Sequence, residues 1–121
     1  MRLTALLHSR FASTPSAPET AMQMIESILA DAASITALRR DIHAHPELCF
    51  KEERTADVIA KALTEWGIPI HRGMGTTGVV AILKNGISNR AVGLRADIDA
   101  LPMSEHNTFA HASTHAGKMH A

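Results

Sequence analysis

Residues 58–83, with the sequence VIAKALTEWGIPIHRGMGTTGVVAIL, decide the fold because the spacing of their apolar side chains changes part-way along. Up to Gly67 the apolar residues recur every three or four positions, which indicates the buried face of a helix. Gly67 can adopt the left-handed conformation that ends helices, and Pro69 prevents the helix from continuing. Beyond Pro69, alternating isoleucines and the apolar run at 79–83 are typical of strands. The stretch therefore predicts a helix followed by two strands.

A second amphipathic helix precedes this stretch. Its apolar residues recur at spacings of three and four, and they are Ile25, Ile28, Leu29, Ala32, Ile35, Leu38 and Ile42. Because proline disfavours the helical conformation in the residue before it, this helix should end before Pro46. Glu52 and Glu53 suit the positive N-terminal end of the next helix.

The segment downstream predicts a third strand at residues 91–94. Asn85-Gly86 is a strong turn signal, so the second and third strands should be antiparallel neighbours. After Pro102 the periodicity is lost, which predicts a loop to the end of the sequence. The pattern indicates an α/β fold with the order helix, helix, strand, strand, strand.

Composition restricts the class of protein and its partners. The 121 residues, 45% hydrophobic and 20% charged, suit about one small globular domain. Twelve Lys and Arg balance twelve Asp and Glu, so the charge favours neither nucleic acid nor a membrane as partner. The single cysteine, Cys49, cannot form an internal disulfide, which favours a cytoplasmic location. No apolar run approaches the roughly 20 residues that span a bilayer.

Residues 1–20 differ from the rest in composition. They are rich in Ser, Thr, Ala and Pro, and they contain Arg2 and Arg10 but no acidic residue before Glu19. This composition superficially resembles a transit peptide, which would place the protein in mitochondria. Because two arginines are a weak signal, we favour a disordered leader at 1–20, with the folded part at residues 21–121.

Asp97 and Asp99 are candidate site residues. They lie two apart directly after the predicted third strand, at the edge where open α/β sheets place their ligands. Capping of the following turn explains the same spacing equally well, and no third carboxylate distinguishes the two interpretations.

Histidines crowd the C-terminal loop, and imidazole is a common ligand for zinc. They are His106, His111, His115 and His120. Their spacing fits no closed site, and Gly117 argues against a helix that would bring them together. We therefore favour solvated loop histidines, and the same doubt about a role in metal binding applies to His43 and His45.

Three longer stretches identify a family when they are read together. They are residues 38–48 (LRRDIHAHPEL), 75–81 (GTTGVVA) and 93–103 (GLRADIDALPM), the last continuing to 117–121 (GKMHA). In order and spacing they resemble the opening of the metal-dependent amidohydrolases. These include hippurate hydrolase, the N-acyl-amino-acid amidohydrolases and the plant hydrolases of indole-acetyl-amino-acid conjugates. The resemblance covers about residues 35–121.

The resemblance implies an α/β catalytic domain of the metallopeptidase type, of which residues 21–121 would be the N-terminal and incomplete portion. It implies two divalent metal ions, such as zinc, manganese or cobalt, that activate water to attack an amide carbonyl. The substrate would be a small N-acyl amino acid such as hippurate, cleaved to a carboxylic acid and an amino acid. A smaller inserted domain would make the complete enzyme a homodimer.

The resemblance also restricts which residues can act at the site. In the family, Cys and His ligands follow Met-His-Ala in a Cys-Gly-His-Asp motif, and this sequence ends at Ala121. The resemblance therefore assigns no catalytic or metal-binding residue here and predicts that the chain alone binds no metal and is inactive. Asp97, Asp99 and His120 match positions beside the metal cleft and are expected to orient its ligands. The alternative is a non-catalytic binding or assembly module that pairs an exposed strand edge with another chain.

Overall fold

The structure is a computed structural model that describes residues 26–121, so the predicted leader lies outside the described residues. The elements are α1 (Glu26–Ala44), α2 (Glu53–Glu65), β1 (Ile70–Met74) and β2 (Gly78–Ala81). The predicted α/β class, with the order helix, helix, strand, strand, is confirmed. Neither described helix is long and apolar enough to cross a membrane.

Polar contacts connect α1 to the rest of the chain. The helix ends at Ala44, two residues before Pro46, as predicted. Its last carbonyl oxygen accepts hydrogen bonds from the amide and the hydroxyl of Thr114, at 2.9 and 2.7 Å. Arg54 of α2 lies 2.9 Å from both carboxylate oxygens of Asp41, and this paired contact holds the two helices together.

The two ends of α2 are capped differently. The Glu47 carboxylate accepts hydrogen bonds from the amides of Arg54 and Thr55, at 3.1 and 2.7 Å. These amides are among the donors that a helix N-terminus leaves without partners, so Glu47 caps α2 from outside the helix. At the other end Gly67 has a φ of +73°, and its amide donates back to the last turn. Gly67 is confirmed as the residue that ends the helix.

β1 and β2 form an antiparallel hairpin that contacts α2. Met74 pairs with Gly78 across a turn at residues 75–77. The register is irregular beside Gly73, whose φ of +87° suits a bulge. The glycines of this region thus allow the chain to reverse within three residues.

The predicted third strand is not formed, and that part of the prediction is wrong. Residues 91–94 pair with no strand in the described part of the chain, and Asn85-Gly86 does not join antiparallel neighbours. Apolar alternation shows which residues suit a strand, but a strand requires a second one to satisfy its backbone groups. Here β2 pairs with β1, and Val92 and Leu94 remain 87% and 95% exposed.

Two isolated bridges fix the C-terminal loop. They join Leu48 to Ala100 in parallel and Leu101 to Met119 in antiparallel. The first bridge brings the segment that carries Asp97 and Asp99 beside the turn between the helices. The second brings the end of the chain, with His120, against the same segment.

Candidate functional site

A cavity of about 300 Å³ lies between α1, α2 and residues 96–98. Arg39, Ile42 and His43 line it from α1, Thr55 and Ile59 line it from α2, and His120 lines it from the C-terminal loop. Small-molecule pockets begin at about this size, roughly 300 Å³, and they combine apolar walls with a few polar groups. This cavity has both kinds of wall.

His120 presents a free ring nitrogen within the described structure. Its Nε2 is buried and has no hydrogen-bond partner among residues 26–121, while the ring also lies against the backbone of Asp99. Burial lowers the pKa of His120, the neighbouring His43 lowers it further, and Asp99 opposes both effects. The ring is therefore neutral at pH 7 and can accept a hydrogen bond at Nε2.

Asp97 lines the same cavity from the exposed side. Its side chain is 69% exposed, and its carboxylate pairs with Arg95 at 2.5 Å. Of the three residues that the sequence singled out, Asp97 and His120 therefore line one cavity, and Asp99 lies against the His120 ring through its backbone.

Asp99 belongs to a second group of polar side chains. Ligand atoms of Cys49, Glu52 and Asp99 all lie within 4.8 Å of one another. Glu52 is buried, and its carboxylate accepts hydrogen bonds from the Phe50 amide and the Thr77 hydroxyl. Burial alone would raise the pKa of Glu52, but these donors outweigh it and the pKa lies below its ordinary value.

Glu105 is a buried carboxylate that the sequence did not single out. Its side chain is 4% exposed and lies 3.0 Å from His43 Nε2. It also accepts hydrogen bonds from the Ser113 amide and the Asn107 side chain. These donors, the Ser113 amide foremost, lower the pKa of Glu105 to about 2. Glu105 is thus ionised and holds the C-terminal loop to α1.

The remaining histidines divide between two environments. His111 is half-buried and stacks on Phe109, with ring centroids 4.1 Å apart, while His115 is exposed. Burial lowers the pKa of His111, and the charges of Arg40 and Arg39 lower it further. The interpretation as solvated loop histidines is therefore wrong for His111, which packs against His43, and for His120, whose Nε2 is buried. Within residues 26–121 no histidine belongs to a group of three potential metal ligands.

Long sequence separation explains why the contact between Glu105 and His43 was missed. The two residues are 62 positions apart, and no local periodicity connects a loop carboxylate to a helical histidine. The only available signal in the sequence was that His43 lies within one of the stretches that carry the family resemblance and Glu105 lies between two of them. Glu52 was noticed for its place at a helix N-terminus, whereas its side chain reaches the β1–β2 turn.

Two curated enzymes match most of the chain. Hippurate hydrolase of Campylobacter jejuni is 41% identical over 100 residues, which are 83% of this chain and 26% of that enzyme. An N-acyl-L-amino acid amidohydrolase of Geobacillus stearothermophilus is 40% identical over 103 residues, 85% of this chain and 27% of that enzyme. The chain thus spans about a quarter of the length of the curated relatives it matches. No family model matches the sequence.

A solved structure agrees with these relatives. The YxeP protein of Bacillus subtilis, a dinuclear metal binding peptidase from the M20 family, superimposes with a TM-score of 0.71 and 39% identity. The match covers 76% of this chain and 26% of that one. The chain is a homologue of the M20 amidohydrolases. The sequence resemblance is confirmed at the level of the family.

The described residues of this M20 homologue do not by themselves fit a dinuclear metal centre. Cys49, Glu52 and Asp99 offer one sulfur and two carboxylates as possible metal ligands. A single catalytic zinc ion needs about three protein ligands, so these three residues have the donors for one ion and not for two. Both oxygens of Glu52 already accept hydrogen bonds that hold Phe50 and Thr77. We assign no metal ligand among residues 26–121.

Proposed function

We propose that this chain forms one wall of the active site of an amidohydrolase that cleaves N-acyl amino acids such as hippurate. The supporting observation is that two of the three sequence stretches shared with the family, the second of them with its continuation at 117–121, meet at one cavity. Residues 38–48 contribute Arg39 and His43, residues 93–103 contribute Asp97, and residues 117–121 contribute His120.

The polar residues of this wall have positioning roles in the proposed reaction. Asp97, Asp99 and His120 orient groups of the catalytic centre by hydrogen bonding. In the complete enzyme, two divalent ions such as zinc, manganese or cobalt would polarise the amide carbonyl and activate water. We further propose that the enzyme acts in the cytoplasm as a homodimer and that its partner molecule is a small substrate.

A chimera tests the proposed function. Residues 26–121 replace the matching quarter of the Campylobacter hippurate hydrolase, and release of glycine from benzoyl-glycine is measured with added manganese, zinc or cobalt. We expect the chimera to hydrolyse the substrate, and chelation to abolish the activity. A chimera that folds and binds metal but releases no glycine would contradict the proposal. Ser88→Ala, which alters only an exposed loop, serves as the matched control.

The 121-residue chain alone is proposed to be inactive. The same assay on the purified chain should release no glycine at any metal concentration, because the described residues do not fit a dinuclear centre. Metal-dependent glycine release by this chain would show that the proposal is wrong.

A second candidate function is a non-catalytic assembly module. The observation that favours it is the row of exposed apolar side chains after β2, which are Ile82, Leu83, Ile87, Val92 and Leu94. Exposed apolar patches and unpaired strand edges commonly mark contact surfaces. Size-exclusion chromatography with light scattering distinguishes the two, since a monomer at all concentrations would count against an assembly role.

A further inference from the structure

Glu105 makes one contact that its own loop does not require. The Ser113 amide and the Asn107 side chain lie within eight residues of Glu105, so these two hydrogen bonds are enough to close the loop. The third partner, His43, lies on α1 and is 62 residues away. Burial of a carboxylate is costly, and a contact of this kind has to be made with good geometry. The Glu105–His43 contact therefore fixes the loop against the helix.

His43 transmits the position of Glu105 to the cavity. Its ring centroid lies 6.2 Å from that of His120 and 5.6 Å from that of Phe109. The ring is thus held at one edge by the Glu105 carboxylate and packs on its other sides against the loop that carries His120. Both His43 and His120 line the cavity.

The hydrogen bonding also fixes which ring nitrogen carries the proton. An ionised carboxylate only accepts, so His43 must donate from Nε2. His120 contacts the Asp99 backbone through its ring and leaves a buried Nε2 without a partner among the described residues. A histidine whose other nitrogen is tied to a backbone group presents the free nitrogen in a defined direction.

We propose that Glu105 is a positioning residue that, through His43, holds the His120 ring so that Nε2 serves as a hydrogen-bond acceptor at the wall of the cavity. The tautomer of His43 follows from its hydrogen bond to Glu105, and that of His120 follows from the contact of its ring with the Asp99 backbone and its buried, unpartnered Nε2 among residues 26–121. The role in catalysis rests on the proposed amide hydrolysis. In that reaction the His120 ring would orient a polar group of the catalytic centre. The inference adds Glu105 and His43 to the residues on which the proposed site depends.

Nitrogen-15 spectra of the histidine rings test the inference in the chimera, where the rest of the relative's domain covers the exposed apolar residues. At pH 7.5 we expect His43 to be protonated at Nε2 and His120 to be unprotonated at Nε2. Glu105→Gln should shift the ring resonances of both histidines, because an amide cannot accept from both His43 and Ser113 in the way a carboxylate does. Glu65→Gln, an exposed carboxylate at the far end of α2, should leave both unchanged.

Two results would overturn the inference. One is a wild-type His43 that is protonated at Nδ1 instead, and the other is a Glu105→Gln chain whose His120 resonances match the wild type. If Glu105→Gln fails to fold, His43→Gln replaces it, since the glutamine amide can still donate to Glu105 while the ring against His120 is removed. An unchanged His120 in that variant also rejects the inference.

The catalytic activity of the chimera provides a second readout. We expect Glu105→Gln to lower kcat roughly 10- to 100-fold with little change in KM, which is the usual effect of removing a partner that orients a catalytic group. A parallel loss of soluble protein with kcat unchanged would show a purely structural role and reject the inference. If the wild-type chimera is inactive, the proposed function fails while the ring tautomers still decide this inference.

Discussion

At the scale of single residues, Glu47 shows how a side chain outside a helix can determine where the helix begins. The residue at the N-cap of α2 makes no side-chain cap, and Glu47 takes over that role from the preceding turn. Asp41 and Glu105 act in the same way, each joining segments that are distant in sequence. Hydrogen-bonded carboxylates therefore make many of the contacts that join distant segments of the chain.

Glu47→Ala should weaken the first turn of α2. Removing the cap costs about 1 kcal/mol, which corresponds to roughly a fivefold faster exchange of the Arg54 and Thr55 amides if they open locally. Hydrogen exchange followed by NMR measures this directly. Glu65→Ala, at the opposite end of the same helix, is the control and should leave those two amides unchanged. Equal protection in both variants would show that Glu47 is not the cap.

Acid should loosen the C-terminal loop in two steps. Burial lowers the pKa of His111 and His120, so the unfolded loop binds protons more readily and stability begins to fall once the pH drops below about 6.5. Glu105 has its pKa lowered to about 2, so its contribution is complete above about 4.5 and is lost as the pH falls toward 2. Exchange of the Ser113 amide against pH measures both steps. Glu105→Gln should remove the lower step only.

At the scale of secondary-structure elements, the spacing of apolar residues predicted the helices and strands that contacts between nearby residues form. The two helices, the stop at Gly67 and the two strands depend on neighbours within a few residues, and all were predicted from the sequence. The pairing of β1 with β2 was not predicted, because the turn signal at Asn85-Gly86 favoured a different hairpin. Residues 91–94 have the same apolar character as β2 but no partner strand among the described residues. Asp97 was singled out by its place after the predicted third strand, which is not formed, and by the family motif. His120 was given its role by the family motif, whereas Glu105 depends on a contact that no local pattern encodes.

Gly67→Ala should shorten α2 at its C-terminus. A side chain in the left-handed conformation costs about 1–2 kcal/mol, and Gly67 has a φ of +73° with no neighbouring atom to obstruct a Cβ. The cost is therefore purely conformational. Gly93→Ala is the matched control, since its surroundings are equally open and its φ is not positive. Circular dichroism should show less helix in the first variant only, and equal spectra would contradict the assignment of the cap.

At the scale of the whole molecule, the core is small for the number of residues. The buried hydrophobic side chains among residues 26–121 are alanines, namely Ala56, Ala60 and Ala100. Larger apolar side chains, including Ile28, Leu29 and Ile35 on α1, are about half exposed. Burial of apolar area is the main term that offsets chain entropy, and three methyl groups contribute little of it. Polar contacts therefore determine how the segments are arranged more than they contribute to the free energy of unfolding.

The isolated chain should accordingly unfold without a sharp transition. A two-stranded sheet with an apolar segment exposed beside it is marginal in water, and aggregation or partial disorder is expected at micromolar concentrations. Differential scanning calorimetry should show a broad, weak endotherm that depends on concentration, because no large core melts at once. The chimera supplies the comparison, since the same residues there are covered by the rest of the relative's domain and should melt cooperatively. A narrow, concentration-independent transition in the 121-residue chain would mean that the exposed apolar residues are covered in solution, and that the contacts described above are sufficient for a stable fold.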